Sequence, residues 1–99
     1  MKIGSIVVIG LTAPTQRFFG RLMELSPSGI TVRGVDLDAF EGWINNVAAS
    51  EESGVTPTTT FFPLHRVEKM IVDEGNGAVL SLSQEFLTRV GTAVEDYLG

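Results

Sequence analysis

The sequence predicts a mainly β domain with helices, of the α+β class, in which five short antiparallel strands form a small, strongly bent sheet or barrel. Three observations support this fold class. Short apolar or alternating runs are separated by clusters of turn-forming residues. A glycine interrupts the second run, as glycines do where the strands of a small barrel bend sharply. Segments with helical spacing follow the third and fifth runs, and the length of 99 residues suits one domain, residues 1–99.

The first three strands are predicted in the first third of the chain. Residues 3–11 are continuously apolar and rich in β-branched side chains, which fits a strand with both faces covered. Pro14 marks the following turn, and residues 16–25 resume as a second strand with Gly20 at the expected bend or close approach. A Ser-Pro-Ser-Gly turn then leads into residues 30–35, where apolar and polar side chains alternate. The second and third strands should therefore form a hairpin.

The segment 60–73 predicts two short strands or one bent strand. Phe61-Phe62 and residues 67–72 are typical of strands. Pro63 interrupts the pattern between them, because proline cannot donate a hydrogen bond to a ladder. This break completes the five-stranded prediction.

Two helical segments are predicted outside the strands. An inserted helix and loop occupy residues 38–57, where Asp38 and Glu41 have the spacing of a capping box. A C-terminal helix occupies residues 81–98, where either Ser81 and Gln84 form a second capping box or Ser83 caps the helix alone, and apolar residues repeat every four positions. Both helices should pack an apolar stripe on the sheet.

Charge and composition restrict the partners. A net charge of −5 disfavours non-specific binding to nucleic acid, which depends on Lys and Arg neutralising phosphates, so no DNA partner is expected. The chain has no cysteine and therefore no disulfide or thiolate chemistry. The apolar run 6–11 is too short for a signal peptide or a membrane span, so we expect a cytoplasmic protein without membrane contact.

Two stretches of the sequence resemble the Sm-like family of small, SH3-like β-barrels. They are Phe19-Gly20-Arg21-Leu22 with the following turn and Ile30-Thr31-Val32, and Phe61-Phe62-Pro63-Leu64-His65-Arg66-Val67. In the second stretch, His65 is similar in placement to the histidine of the Hfq-type RNA chaperones. The resemblance covers about residues 4–37 and 58–74.

The resemblance implies a homo-oligomer, since Sm-like proteins form rings by pairing the fourth strand of one subunit with the fifth strand of the next. The interface would then include Phe61, Phe62, Val67, Met70 and Val72. Many Sm-like rings also bind single-stranded RNA around the pore. An RNA-binding ring would use Arg17, Arg21, Arg33, His65 and Arg66.

These charged residues also have ordinary structural interpretations. Arg17, Arg21 and Arg33 are expected either to pair across strands with Glu24 and other acids or, with their planar fork of donors, to bind phosphate. His65 is a surface residue, a ligand contact, or one of several copies that converge on a metal in a ring. The acids Asp36, Asp38 and Glu41 either cap the helix or hold a divalent cation.

The aromatic residues have two interpretations as well. They either fill the core or stack on bases. Adjacent residues in a strand point to opposite faces, so one member of Phe18-Phe19 and one of Phe61-Phe62 should be buried. The other member of each pair should join an interface or be exposed.

No enzyme signature is present: the sequence has no P-loop, no Gly-x-Gly-x-x-Gly, no His-Glu-x-x-His and no Gly-x-Ser-x-Gly motif. We therefore expect a non-enzymatic, homo-oligomeric Sm-like binding or scaffold subunit of unidentified partner, without a cofactor or metal. Two alternatives stay open. One is an RNA-binding Sm-like ring, and the other is a small enzyme with a site at subunit interfaces.

Overall fold

The computed structural model describes residues 1–50 and 55–99 and confirms the predicted fold class. The strands are β1 Ile6–Leu11, β2 Gln16–Ser26, β3 Gly29–Asp36, β4 Thr58–Pro63 and β5 Val67–Val72. The helices are α1 Phe40–Ala48, α2 Leu82–Val90 and α3 Glu95–Leu98, with short 3₁₀ turns at Leu37–Ala39 and Leu64–Arg66. Among the described residues, no helix is long and apolar enough to cross a membrane.

The five strands form one antiparallel sheet in the order β4-β3-β2-β1-β5, and the connection between the outermost strands makes it curl. A flat sheet would hold β4 and β5 about 19 Å apart, because four spacings of about 4.8 Å separate them. Only the turn Leu64–Arg66 joins the end of β4 to the start of β5. Even a fully extended chain of that length reaches only about 14 Å. The sheet must therefore bend until its two ends approach each other, as in a small barrel.

A pair of glycines permits this bend where β2 pairs with β3. Gly20 and Gly34 are directly opposite each other in the ladder. A Cβ atom on Gly34 would lie 1.9 Å from the Phe19 carbonyl oxygen, and one on Gly20 would lie 2.3 Å from the Arg33 carbonyl oxygen. No side chain fits at either position, so the close approach predicted at Gly20 is confirmed.

The centre of the sheet is buried on both faces. The inner face encloses a cluster made of Val7, Ile9, Leu11, Phe18, Leu22, Ile30, Val32 and Phe62. The outer face is covered by the helices, and the cluster there contains Phe19, Val35, Phe40, Trp43, Ile44, Phe86, Val94 and Leu98. The prediction that one member of Phe18-Phe19 joins an interface or is exposed is wrong, because Phe18 is buried in the inner cluster and helices cover the face that Phe19 occupies.

The helices differ from the prediction at their ends. Asp36, not Asp38, caps the segment after β3, because its carboxylate accepts from the Asp38 amide at 2.9 Å and starts a 3₁₀ turn before α1. The capping box at Ser81 is confirmed. The predicted C-terminal helix 81–98 is two helices, because Gly91 adopts a left-handed conformation (φ 87°) that ends α2.

Candidate assembly interface

The outer edges of β4 and β5 are open in the part of the chain that the structure describes. Each of these strands pairs with a neighbour on one side only, β4 with β3 and β5 with β1. An open strand edge presents a row of unpaired N–H and C=O groups that another strand can bind. The two edges are therefore candidate sites of assembly.

The ladder between β3 and β4 determines which groups of β4 face the open edge. The Leu64 amide donates to the Ser28 carbonyl at 3.0 Å, so these residues form a hydrogen-bonded pair. Hydrogen-bonded pairs recur every two residues in an antiparallel ladder, so the backbone groups of Thr59 and Phe61 point away from β3. Pro63 also lies on this side, where its missing N–H costs no bond within the sheet.

The ladder between β1 and β5 likewise determines which groups of β5 face the open edge. The Asp73 amide donates to the Ile6 carbonyl at 2.9 Å, so the backbone groups of Met70 and Val72 face the open edge. The register then shifts, since Gly10 is opposite Lys69 whereas the next residue of β1 is opposite Val67. Glu68 is the extra residue of this bulge, which interrupts the regular part of the edge.

The predicted interface residues divide into exposed and buried members. Phe61 is 51% exposed and Val72 is 39% exposed. Met70 and Val67 are half-buried against the inner cluster. Phe62 is only 4% exposed because it packs within the inner cluster, so its side chain is part of the fold and not of the free surface.

Two further edge residues were missed as individual candidates. Ile71, on the outer face of β5, is 51% exposed, and Thr59 presents backbone groups to the open edge of β4. The alternation of side chains along a strand indicates that every second residue faces the same way. Which alternate residues face outwards depends on the pairing register, and the register follows from contacts with β1 and β3.

The residues predicted for RNA contact are divided between two places. Arg66 donates to the side chain of Gln16, the neighbour of Arg17 in β2, so Arg17, His65 and Arg66 lie at one end of the barrel. Arg21 and Arg33, in contrast, lie together on the outer face against the C-terminal segment.

Arg21 and Arg33 hold helix α3 on the sheet. They are directly opposite each other in the ladder between β2 and β3. Arg21 Nη2 donates to the Glu95 carbonyl at 3.0 Å, and Arg33 Nε donates to the Leu98 carbonyl at 2.6 Å. Cations are favourable where a helix leaves its last carbonyls unpaired. Within residues 1–50 and 55–99, the partners of these two arginines are oxygens of the backbone and of Thr59, so the expected pairing with acids across the strands is not found there.

Arg66 has a comparable structural role at the other end of the barrel. Its guanidinium donates to the carbonyls of Thr12 and Pro14, each at 3.1 Å, and lies over the Phe62 ring at 6.0 Å from the centroid. It therefore ties the turn after β1 to the turn between β4 and β5. The side chains of Arg17 and His65 are exposed and have no polar partner among the described residues.

The remaining basic side chain of interest, Arg89, joins α2 to α1. It donates to Glu41 Oε2 at 2.8 Å, to the Asn45 side chain and, more weakly, to Glu85. The hydrogen bond from Arg89 lowers the pKa of Glu41 below its ordinary value. Glu41 of α1 thus forms an ion pair with Arg89 of α2.

Two of the three acids considered as cation ligands, Asp36 and Glu41, have structural partners, and so does Asp73. Asp36 caps the 3₁₀ turn, and the carboxylate of Asp73 accepts from the amides of Leu82 and Ser83 at 2.9 and 2.8 Å. Within residues 1–50 and 55–99, no group of three or more His, Cys, Asp or Glu side chains is placed to hold a metal ion.

No pocket is found on the described surface.

Comparison of the chain with protein-family models, curated proteins and solved structures finds no match.

Proposed function

We propose that this chain is a non-enzymatic subunit that assembles with copies of itself by pairing β4 of one copy with β5 of the next. The observation that carries the proposal is the presence of two open edges in one small domain, each with exposed apolar side chains. Such edges are liabilities, and a covering strand removes them. A second copy supplies an edge of each kind, so the unpaired N–H and C=O groups of one copy can bond to those of the next.

The two edges also match in length. On β4 the backbone groups of Thr59 and Phe61 have no partner among the described residues, and Pro63 ends the row because it has no N–H. On β5 the groups of Met70 and Val72 are free, and the bulge ends the row. Each edge therefore offers two complete donor and acceptor sets to the other.

The Sm-like resemblance supports the same function. That family has a one-turn break between its last two strands, and here the 3₁₀ turn Leu64–Arg66 stands between β4 and β5. A sheet whose centre is covered by helices and whose two outermost strands are open can pair with further copies at both ends. The assembled particle would act as a binding or scaffold unit.

The RNA-binding alternative has less support from the positions of its residues. Arg21, Arg33 and Arg66 donate to backbone carbonyls, so phosphate binding would have to replace bonds that hold the fold. Only Arg17 and His65 of the predicted set have side chains without a polar partner among the described residues. Two cationic or titratable side chains per copy are a weak basis for salt-dependent nucleic-acid binding.

The test is the solution mass, measured by light scattering on a sizing column for the wild type, Phe61→Glu and Leu87→Glu. Phe61 and Leu87 are both 51% exposed, but Leu87 lies on α2 and not on an edge strand, and is the matched control. We expect a discrete wild-type mass of several chains, a mass near 10.7 kDa for Phe61→Glu, and the wild-type mass for Leu87→Glu. Circular dichroism checks that both variants remain folded.

A wild type that stays at the mass of one chain at every concentration contradicts the proposal. Equal loss of assembly in the two variants also contradicts it, because the edge would then have no special role.

A further inference from the structure

Resting on the proposed function, we propose that β4 and β5 pair antiparallel with Phe61 of one copy opposite Met70 of the next, so that Phe61 completes the inner core of its neighbour. Pairing between copies does not by itself determine which residues are opposite each other or which faces of the two sheets adjoin. The proposed arrangement follows from the hydrogen-bond pattern at each edge, from the positions of Pro63 and Glu68, and from the burial of the edge side chains.

The hydrogen-bond pattern leaves few registers. With Phe61 opposite Met70, Thr59 is opposite Val72, and both pairs exchange two N–H···O=C bonds. A shift of two residues in one direction places Pro63, which has no N–H, opposite Met70 and leaves an acceptor without a donor. The opposite shift places Phe61 against Glu68, in the bulge. One register therefore uses all four free donors within regular strand.

Parallel pairing is the remaining alternative, and it uses the edges less well. In a parallel ladder each outward-facing residue bonds to two residues on the partner, two positions apart. With Phe61 beside Ile71, Thr59 would have to bond to Glu68 as well as Met70, which again involves the bulge. A shift of two residues avoids Glu68 but requires Glu74, beyond the end of β5. The antiparallel register alone keeps all four bonds inside both strands.

The register determines which side chains meet. Directly opposed residues of an antiparallel pair project to the same face. Phe61 points away from the inner cluster of its own copy, since its neighbour Phe62 belongs to that cluster. Met70 and Val72 project to the inner side of theirs, where Met70 packs against the cluster and remains half-buried. The outer face of one copy thus continues into the inner face of the next.

The chemistry of the contact fits this arrangement. The Phe61 ring, 51% exposed in one copy, would cover the Met70 thioether and the side of Val72, which is 39% exposed. Contacts between an aromatic ring and a thioether sulfur are favourable, and the apolar surfaces leave water together. Since β4 of the second copy stays free, the contact is head-to-tail and ends only when a ring closes.

Disulfide trapping tests the register directly, because the chain has no cysteine of its own. Equimolar mixtures of single-cysteine variants are oxidised and examined on a non-reducing gel. Directly opposed, hydrogen-bonded residues have Cα atoms about 5.5 Å apart, which suits a disulfide. We expect Phe61→Cys with Met70→Cys to give a covalent dimer, and Phe61→Cys with Ile71→Cys, the matched control on the opposite face, to give at least ten-fold less.

A second mixture, Thr59→Cys with Val72→Cys, tests the same register while leaving Phe61 and Met70 in place. It should also give the dimer. A failure of the first mixture that is caused only by removal of the Phe61 ring would therefore be recognised. Preferential trapping of Phe61→Cys with Ile71→Cys would overturn the antiparallel arrangement in favour of the parallel one. Failure of both predicted mixtures, in a protein whose solution mass shows assembly, overturns the register while the proposed function stands. A monomeric wild type would instead contradict the proposed function itself.

Discussion

The helix-covered centre of the sheet and its two open edges bury apolar side chains to very different extents. On the outer face, Phe19 and Phe86 are fully buried between the sheet and the helices. At the edges, Phe61 and Ile71 keep about half of their surface in water. The difference shows that the centre is complete within one chain, whereas the edges carry exposed apolar side chains and lack a covering strand among the described residues. Substitutions in the two regions should therefore affect different properties.

The largest effect on folding is expected at the centre, for Phe86→Ala. This side chain is fully buried and packs against Trp43 and Tyr97, so its removal leaves a cavity as well as losing apolar burial. We expect the free energy of unfolding to fall by about 3–5 kcal/mol, measured by urea denaturation. A loss below about 1 kcal/mol would mean that the helices do not form a close-packed layer.

The next largest effect is expected for Arg33→Ala, where the centre meets the C-terminal segment. Its half-buried guanidinium is bonded to the Leu98 carbonyl, and a hydrogen bond to a charged group contributes about 1.5–3 kcal/mol. Unfolding should become easier by that amount in urea. Arg17→Ala is the control, because Arg17 is exposed and has no polar partner in the described part of the chain. Equal losses for the two variants would contradict the structural role of Arg33.

At the edge, Phe61→Ala should have a small effect on the isolated subunit and a clear effect on the assembled one. In dilute solution, the free energy of unfolding should change by no more than about 0.5 kcal/mol, as for other exposed positions. The wild-type melting temperature should rise with protein concentration, because assembly stabilises only the folded state. The variant should lose that rise. A wild-type melting temperature independent of concentration would remove the distinction between centre and edge.

The smallest effect is expected for Glu41→Gln, at the surface pair between α1 and α2. Because Arg89 lowers the pKa of Glu41 in the folded state, the pair stabilises the fold above the unfolded pKa and loses this effect as the pH falls through the folded pKa. Wild type and variant should therefore differ slightly in melting temperature at neutral pH and low salt. The difference should vanish in acid and shrink in high salt. A difference that grows in acid would give the interaction the wrong sign.

The strands were predictable from the sequence because their signals are local. Alternation, the break beginning at Pro63 and the glycine at position 20 each depend on neighbouring residues. The structure agrees with the first and the third, and the break begins one residue later, because Pro63 is the last residue of β4 and the turn is Leu64–Arg66. The division of the C-terminal helix at Gly91 was missed. A glycine within an apolar repeat is compatible with a continuous helix unless the backbone there is known to be left-handed.

The candidate site was less predictable because it depends on contacts between distant parts of the chain. Arg33 meets Leu98 across 65 positions of sequence, so nothing near Arg33 indicates that its partner is a helix carbonyl. Phe19 and Phe62 are buried by elements that sequence periodicity does not assign to them. The edge-facing groups of Phe61 and Met70 follow only from the register with β3 and β1. Local patterns locate the elements, and long-range packing decides which surfaces stay open.

The most direct test of edge pairing is amide hydrogen exchange, followed by NMR at high protein concentration and after dilution. The amides of Phe61 and Met70 should exchange slowly in the concentrated sample and at least ten-fold faster after dilution, because only a neighbouring copy protects them. The amides of Leu64 and Asp73, bonded within the chain to Ser28 and Ile6, are internal controls and should be equally protected in both samples. If the amides of Phe61 and Met70 exchange rapidly at every concentration while the controls stay protected, the edges do not pair and the proposed assembly is wrong.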